Sequence, residues 1–143
     1  MSQVDFYILH GSTGAARLRF ICRLSEKIWR QGQRLYLYTE SETQARQLDN
    51  LLWTFRVDSF VPHELWLPTQ EASSPIQIGY DVRQHPAIPL LLNVTSHWPV
   101  FTEDYERVLE PIEDTPLARE LARERYRRYQ ALRWEIRTHD MTV

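Results

Sequence analysis

Apolar and polar positions follow two different periods along this chain, and the switches between them mark its elements. Val4 to Leu9 (VDFYIL) is a short, β-prone apolar run and predicts a buried first strand. Gly11 and Gly14 break it, and from there to Gly32 the apolar positions Leu18, Ile21, Cys22, Ile28 and Trp29 keep helical spacing. Gly32 is placed to end that helix as its C′ residue. Arg34 to Thr39 (RLYLYT) predicts a second strand. Ser41-Glu42-Thr43-Gln44 matches a capping box and opens a helix carrying Leu48, Leu51, Leu52 and Phe55. Strand, helix, strand, helix with short connections argues for an α/β fold on a parallel sheet.

The middle is less regular. Phe55 to Leu67 is rich in large apolar residues, is interrupted by Pro62, and reads as an ordered loop beside the second helix, with a short strand as the alternative. Gln70 to Pro75 is a polar turn, Ile76 to Tyr80 a third strand, and Asp81 to Pro89 a loop, since Pro86 and Pro89 leave no room for a paired strand. Leu90 to Val94 (LLLNV) is apolar enough to lie inside a sheet. Phe101 to Tyr105 predicts a helical turn, and Arg107 to Ile112 a last, partly exposed strand with Pro111 near its end.

Thr115 is a good N-cap and Pro116 a good N1 residue for a final helix, whose centre is LARELARERYRRY, Leu117 to Tyr129. Arg119, Arg123 and Arg127 recur at i, i+4 and i+8 on one face, with Tyr126 beside them. Leu117, Ala118, Leu121 and Ala122 form the stripe expected to face the core. Like charges at this spacing destabilise a helix, and pairing of Glu120 and Glu124 with Arg123 and Arg128 offsets that only in part. An anionic partner would account for the row. A solvated face with internal ion pairs is the other reading, and this stretch alone does not choose between them.

Charge sharpens the picture. Arg119 to Arg137 holds seven Arg against three Glu, a local net of +4 in a chain of net charge -2, so the remainder sums to -6. A basic patch on an acidic domain suits an acidic protein partner better than general duplex DNA. Cys22 is the only cysteine, which excludes a disulfide framework and fits a reducing cytoplasm. With 143 residues and no repeat, linker, signal-like N-terminus or membrane-length apolar run, the chain reads as one domain with no membrane association.

Enzyme signatures are missing. Gly11-Ser12-Thr13-Gly14 sits where nucleotide-binding folds cradle phosphate, but Ala15-Ala16-Arg17 replace the Lys and Ser or Thr of a P-loop, and the dinucleotide pattern would need a third glycine. The turn reads as a plain strand-to-helix connection. The five histidines never fall at i, i+3 or i+4 to one another, no G-x-S-x-G motif occurs, and Cys22 lies on an apolar helix face. No cofactor or metal is expected. Most of the Trp residues are core candidates, and Trp53, ending a helix just before the Phe60 loop, is the exception.

Phe6-Tyr7-Ile8-Leu9, Trp29 with Gly32, Leu48-Asp49 with Leu52-Trp53, Ser59-Phe60-Val61-Pro62-His63 and Leu121-Ala122-Arg123-Glu124-Arg125-Tyr126 occur in this order. As an ordered set they resemble the chi subunit family of the bacterial DNA polymerase III holoenzyme, over nearly the whole chain and most weakly between Leu65 and Tyr105. The resemblance implies one Rossmann-like α/β domain over residues 1–143, with a mostly parallel central sheet flanked by helices and no nucleotide site. It also implies a cytoplasmic, non-catalytic accessory subunit of the replicative polymerase. Chi proteins pair with the psi subunit of the clamp loader and grip the acidic C-terminal tail of single-stranded DNA-binding protein, so DNA is contacted mainly indirectly.

By position, the resemblance makes Arg123 the residue that holds the tail's terminal carboxylate. Tyr126 and Arg127 are its neighbours, Arg119 stands one turn earlier, and Trp53, Phe60 and Ile112 match the apolar wall of the pocket. It gives no location for the psi surface. Two departures stand out: Pro111 interrupts the strand that carries Ile112, and Ala131-Leu132-Arg133-Trp134 offers no glycine to stop the last helix. A direct single-stranded nucleic-acid-binding module is the alternative among binding proteins. A small nucleotide-binding protein using the Gly11 to Gly14 turn is the alternative among enzymes.

Overall fold

A computed structural model describes residues 2–11 and 13–142. Its elements follow in the order β1 (Gln3–His10), α1 (Gly14–Arg30), β2 (Leu35–Tyr38), α2 (Glu42–Thr54), β3 (His63–Leu65), β4 (Ile76–Gly79), β5 (Leu90–Asn93), a 3-10 turn (Thr102–Asp104), β6 (Arg107–Glu113), α3 (Pro116–Ala131) and β7 (Glu135–Thr142). All seven strands described are parallel neighbours in one sheet, ordered β3-β4-β2-β5-β6-β1-β7. The architecture is the expected α/β domain with a flanked parallel sheet.

Period-two alternation divides the strands between two cores. Leu35 and Leu37 join Leu9, Ile78 and Leu92 under α1 and α2, which contribute Phe20, Ile21, Cys22, Leu48 and Leu52. Tyr36 and Tyr38 point the other way, to the core of Val4, Phe6, Val108 and Ile112 that α3 covers with Ala122 and Tyr129. The helices begin as their caps dictate. Thr13 accepts from the Ala16 N–H, Ser41 from Gln44 and Thr115 from Ala118. Gln44 also reaches back, but to the Glu40 N–H at 2.9 Å, one residue before the capping serine.

Two expectations need correction. Arg107–Glu113 is neither the last strand nor partly exposed: β6 lies inside the sheet between β5 and β1, buried from Val108 to Ile112. Pro111 fits because pairing with β5 ends at Leu92 and Leu109, so no ladder bond to that side is lost. Its carbonyl instead accepts from Arg17 Nε at 3.0 Å, and Arg17 Nη2 caps Val94 O at 2.9 Å. The arginine helix also stops without a glycine. Arg133 takes the left-handed conformation (φ 61°), Trp134 N donates to Tyr129 O at 3.1 Å, and the chain returns as β7 on the far side of β1. That eight-residue edge partner of β1 has no counterpart among the elements the sequence predicts.

Candidate functional site

Three adjacent strands build the floor of a cleft beneath α3. Register places Ile112 of β6 beside Ile8 of β1, and Thr138 of β7 beside Phe6. Over these side chains α3 lays Arg119, Ala122, Arg123 and Tyr126, enclosing a cleft of about 170 Å³. The Tyr126 ring rests against Phe6 with centroids 5.6 Å apart. A wider trough continues along the outer face of α3, lined by Asp114, Thr115, Pro116, Arg119, Glu120, Arg123 and Arg127. An apolar floor thus opens onto a row of guanidinium groups.

The three arginines of that row are not equivalent. Arg119 Nη2 lies 2.7 Å from Asp114 Oδ1, so part of its charge is neutralised within the protein. Asp114 also accepts from the Gly11 N–H at 2.8 Å, and this bond, followed by that from Arg119, holds its carboxyl below the usual carboxylate range. Among the described residues no carboxylate lies within 4.0 Å of Arg123 or Arg127. The pairing of Glu120 and Glu124 with Arg123 and Arg128 expected from the sequence is absent at that distance. Arg128 instead lies over the Trp98 ring at 4.4 Å.

The stripe that docks α3 is in part the one expected. Ala122 is buried and Ala118 packs against the same core, but Leu117 is 65% exposed, and Arg125 and Tyr129 complete the face turned to the sheet. Arg125 Nε bonds Glu110 Oε1 at 3.2 Å, and Glu110 Oε2 accepts from the Tyr129 hydroxyl at 3.0 Å. Arg125 Nη1 also donates to Ser96 O at 2.5 Å. This buried network sets the rotation of α3, and with it the aim of Arg123 and Tyr126.

The structure brings Arg119, Arg123, Tyr126 and Ile112 together and sets Arg127 on the adjoining trough. Trp53 and Phe60 are elsewhere, which corrects the expectation that they wall the same pocket. Trp53 is on α2 and Phe60 on the loop before β3, and α2 packs in the core on the opposite side of the sheet from α3. Their rings meet at 5.4 Å and remain 49% and 62% exposed, with His63 beneath Trp53 at 4.5 Å. The floor is supplied instead by Phe6, Ile8 and Thr138. Alternation in β1 could have named the first two, but Thr138 depends on the unrecognised β7.

The remaining chemistry is committed within the fold. The Gly11 N–H is spent on Asp114, and Ser12 of the glycine turn lies outside the described residues. Each histidine faces a different carboxylate: His10 Asp140, His63 Asp49, His85 Asp104, His97 Glu40 and His139 Asp5. Among the described residues no group of His, Cys, Asp and Glu is placed to hold a metal, and no helix is long and apolar enough to cross a membrane.

Residues 1–137 match the family model described as DNA polymerase III chi subunit, HolC. Among relatives, the DNA polymerase III subunit chi of Pseudomonas aeruginosa is 36% identical over 139 residues, covering 97% of this chain and 96% of the relative. The subunits of the same name from Haemophilus influenzae and Escherichia coli are 28% and 29% identical, each covering 96% of this chain and 96% and 97% of the relatives. Among solved structures, T4 UvsW superposes with a TM-score of 0.71 at 9% identity, over 98% of this chain and 41% of that one, a likeness of fold alone. On the family match and the full-length relatives together, the chain belongs to the chi subunit family of DNA polymerase III.

Proposed function

We propose that this protein is a non-catalytic adaptor of the replicative polymerase, joining the acidic C-terminal tail of single-stranded DNA-binding protein to the psi subunit of the clamp loader. The observation that carries the reading is Arg123 at the mouth of an apolar cleft. A peptide that ends in an apolar residue and a free carboxylate needs both parts at once. The side chain enters the floor of Phe6, Ile8 and Ile112, and the carboxylate meets the planar fork of Arg123. Acidic residues upstream lie along the trough toward Arg119 and Arg127, which contributes steering and salt sensitivity.

An adaptor also needs a second surface that the first partner leaves open. The exposed Trp53–Phe60 pair is on the α1/α2 side of the sheet, away from the cleft, and is the aromatic patch best suited to the psi subunit. The two surfaces can then be occupied together, as bridging requires.

Fluorescence anisotropy of a labelled tail peptide, titrated with wild type and with Arg123→Ala, tests the reading. Saturable binding is expected, with the substitution costing about 2 kcal/mol, or roughly thirty-fold in affinity. Amidation of the terminal carboxylate should weaken the wild-type complex comparably. Failure of the folded wild type to bind the peptide, or indifference to both changes, rejects tail capture by this cleft.

A further inference from the structure

The strongest unassigned feature is a second basic ridge, on α1. Arg19, Arg23, Lys27 and Arg30 are all exposed. At 3.6 residues per turn they fall within an arc of about 80°, and their Cα atoms span about 17 Å along the axis. Among the described residues no carboxylate lies within 4.0 Å of Arg19, Arg23 or Lys27, and Arg30 reaches Glu26 only at 3.6 Å. Glu26, the one acid on this helix, is buried on its flank and bound to Arg56 and Ser59. Like charges repeated at i, i+4 work against the helix. The ridge is thus a cationic line paired only at Arg30, on a chain of net charge -2.

What the ridge lacks identifies its ligand. A cleft between α1 and α2, with Ala15, Leu18 and Leu51 in its lining, takes in Arg19 alone of the four cations, and Arg30 lies over the half-buried Trp29 ring. Among the described residues, Arg23 and Lys27, at the centre of the ridge, have no apolar anchor of the kind that holds a peptide or enters a lipid surface. The α3 cleft sets that anchor directly beneath its arginines, whereas the centre of the α1 ridge does not. Evenly spaced cations whose common feature is charge, not a shared pocket, match a ligand whose charge also repeats evenly and whose identity is not read, which is the phosphate backbone of a nucleic acid. A straight ridge of this length suits a flexible strand that can lie along it. We infer that the α1 ridge of Arg19, Arg23, Lys27 and Arg30 binds the phosphate backbone of single-stranded DNA directly, without sequence preference. It acts on the sheet face opposite the α3 cleft, independently of any tail peptide.

The test is anisotropy of a labelled oligothymidylate with the full-length protein and no other protein present. Three forms are compared: wild type, Arg23→Ala/Lys27→Ala, and Arg123→Ala/Arg127→Ala, each checked for folding by circular dichroism. Four phosphate contacts predict that wild-type affinity falls about 50-fold between roughly 50 and 200 mM salt. The α1 double variant should bind at least about fivefold more weakly and lose about half of the salt slope, because two of four contacts are gone. The α3 double variant should bind the oligonucleotide like wild type. The proposal is overturned if wild type shows no binding at low salt, if the α1 variant binds normally, or if the α3 variant is the one that fails. Tighter binding of polyglutamate than of oligothymidylate of equal charge would assign the ridge to an acidic protein instead. None of these outcomes depends on whether the α3 cleft captures a tail.

Discussion

Arg125 and Glu110 meet beneath α3, with Nε 3.2 Å from Oε1 and both side chains almost excluded from solvent (6% and 0%). Burial pushes the Glu110 carboxyl up, and Arg125, Tyr129 and Asn93 draw it back toward ionisation. A pair of this kind is costly to break from one side, because the survivor is left uncompensated. Arg125→Met should therefore destabilise the fold by about 3–5 kcal/mol in urea unfolding. Arg125→Met/Glu110→Gln should recover most of that loss, since glutamine carries no charge and still accepts from Tyr129. Equal stability of the single and double variants would show that the ion pair does not anchor α3.

That pair also shows where the sequence stopped being legible. The period of α3 is clear and Ala118 and Ala122 pack on the core as hydrophobicity predicts, but Leu117 of the same stripe is exposed, and Arg125, in a run of arginines, is buried. A polar group buried against a partner fifteen residues earlier leaves no trace in a hydrophobic pattern. Pro111 misled for a related reason. Proline argues against a central strand only where the ladder needs its N–H, and here the neighbouring strand has already ended. The basic face of α3 is legible from its spacing, whereas Ile112 comes only from the family resemblance, which also groups Trp53 and Phe60 with it although strand order sends α2 to the other face. Seven polar or weakly apolar positions in β7 gave no strand signal, because an edge strand packs lightly on one side.

The stop of α3 gives a second prediction. Arg133 holds φ 61°, a region where a Cβ crowds the following carbonyl and glycine does not. The Arg133 side chain is exposed, so little packing is lost on removing it. Arg133→Gly should raise stability by about 1 kcal/mol. Arg133→Val, stiff at its Cβ, should lower it. Thermal melts of the two variants against wild type read both signs in one experiment.

Glu26 links α1 to the loop that carries Phe60. Its Oε1 lies 2.5 Å from Arg56 Nη2, and its Oε2 accepts from the Ser59 hydroxyl, the residue before Phe60. Removing the charge without changing the shape should loosen this loop more than the core. Glu26→Gln is expected to cost about 1 kcal/mol in stability. If the aromatic patch takes the psi subunit, the same variant should weaken that pairing several-fold in calorimetric titration while leaving tail-peptide affinity unchanged. Loss of both affinities together would point to general unfolding instead.

Acid should weaken the fold through Glu64, on β3. Partial burial pushes this carboxyl up, but hydrogen bonds from Gln77, Ser74 and Ser73 outweigh it and hold the value at about 2, against an ordinary 4.5. Gln77 Nε2 and the Ser73 N–H both approach Oε1 at 2.8 Å, so the carboxylate ties the turn before β4 to the edge strand. A value lowered on folding means that the unfolded chain takes up the proton first. The resulting stabilisation is fully present above about pH 4.5 and is lost as the pH falls toward about 2. Wild type should consequently lose melting temperature through that window, and Glu64→Gln should start lower near neutrality and fall less. The two melting curves should converge near pH 2, and parallel curves across the window would remove Glu64 as the acid-sensitive group.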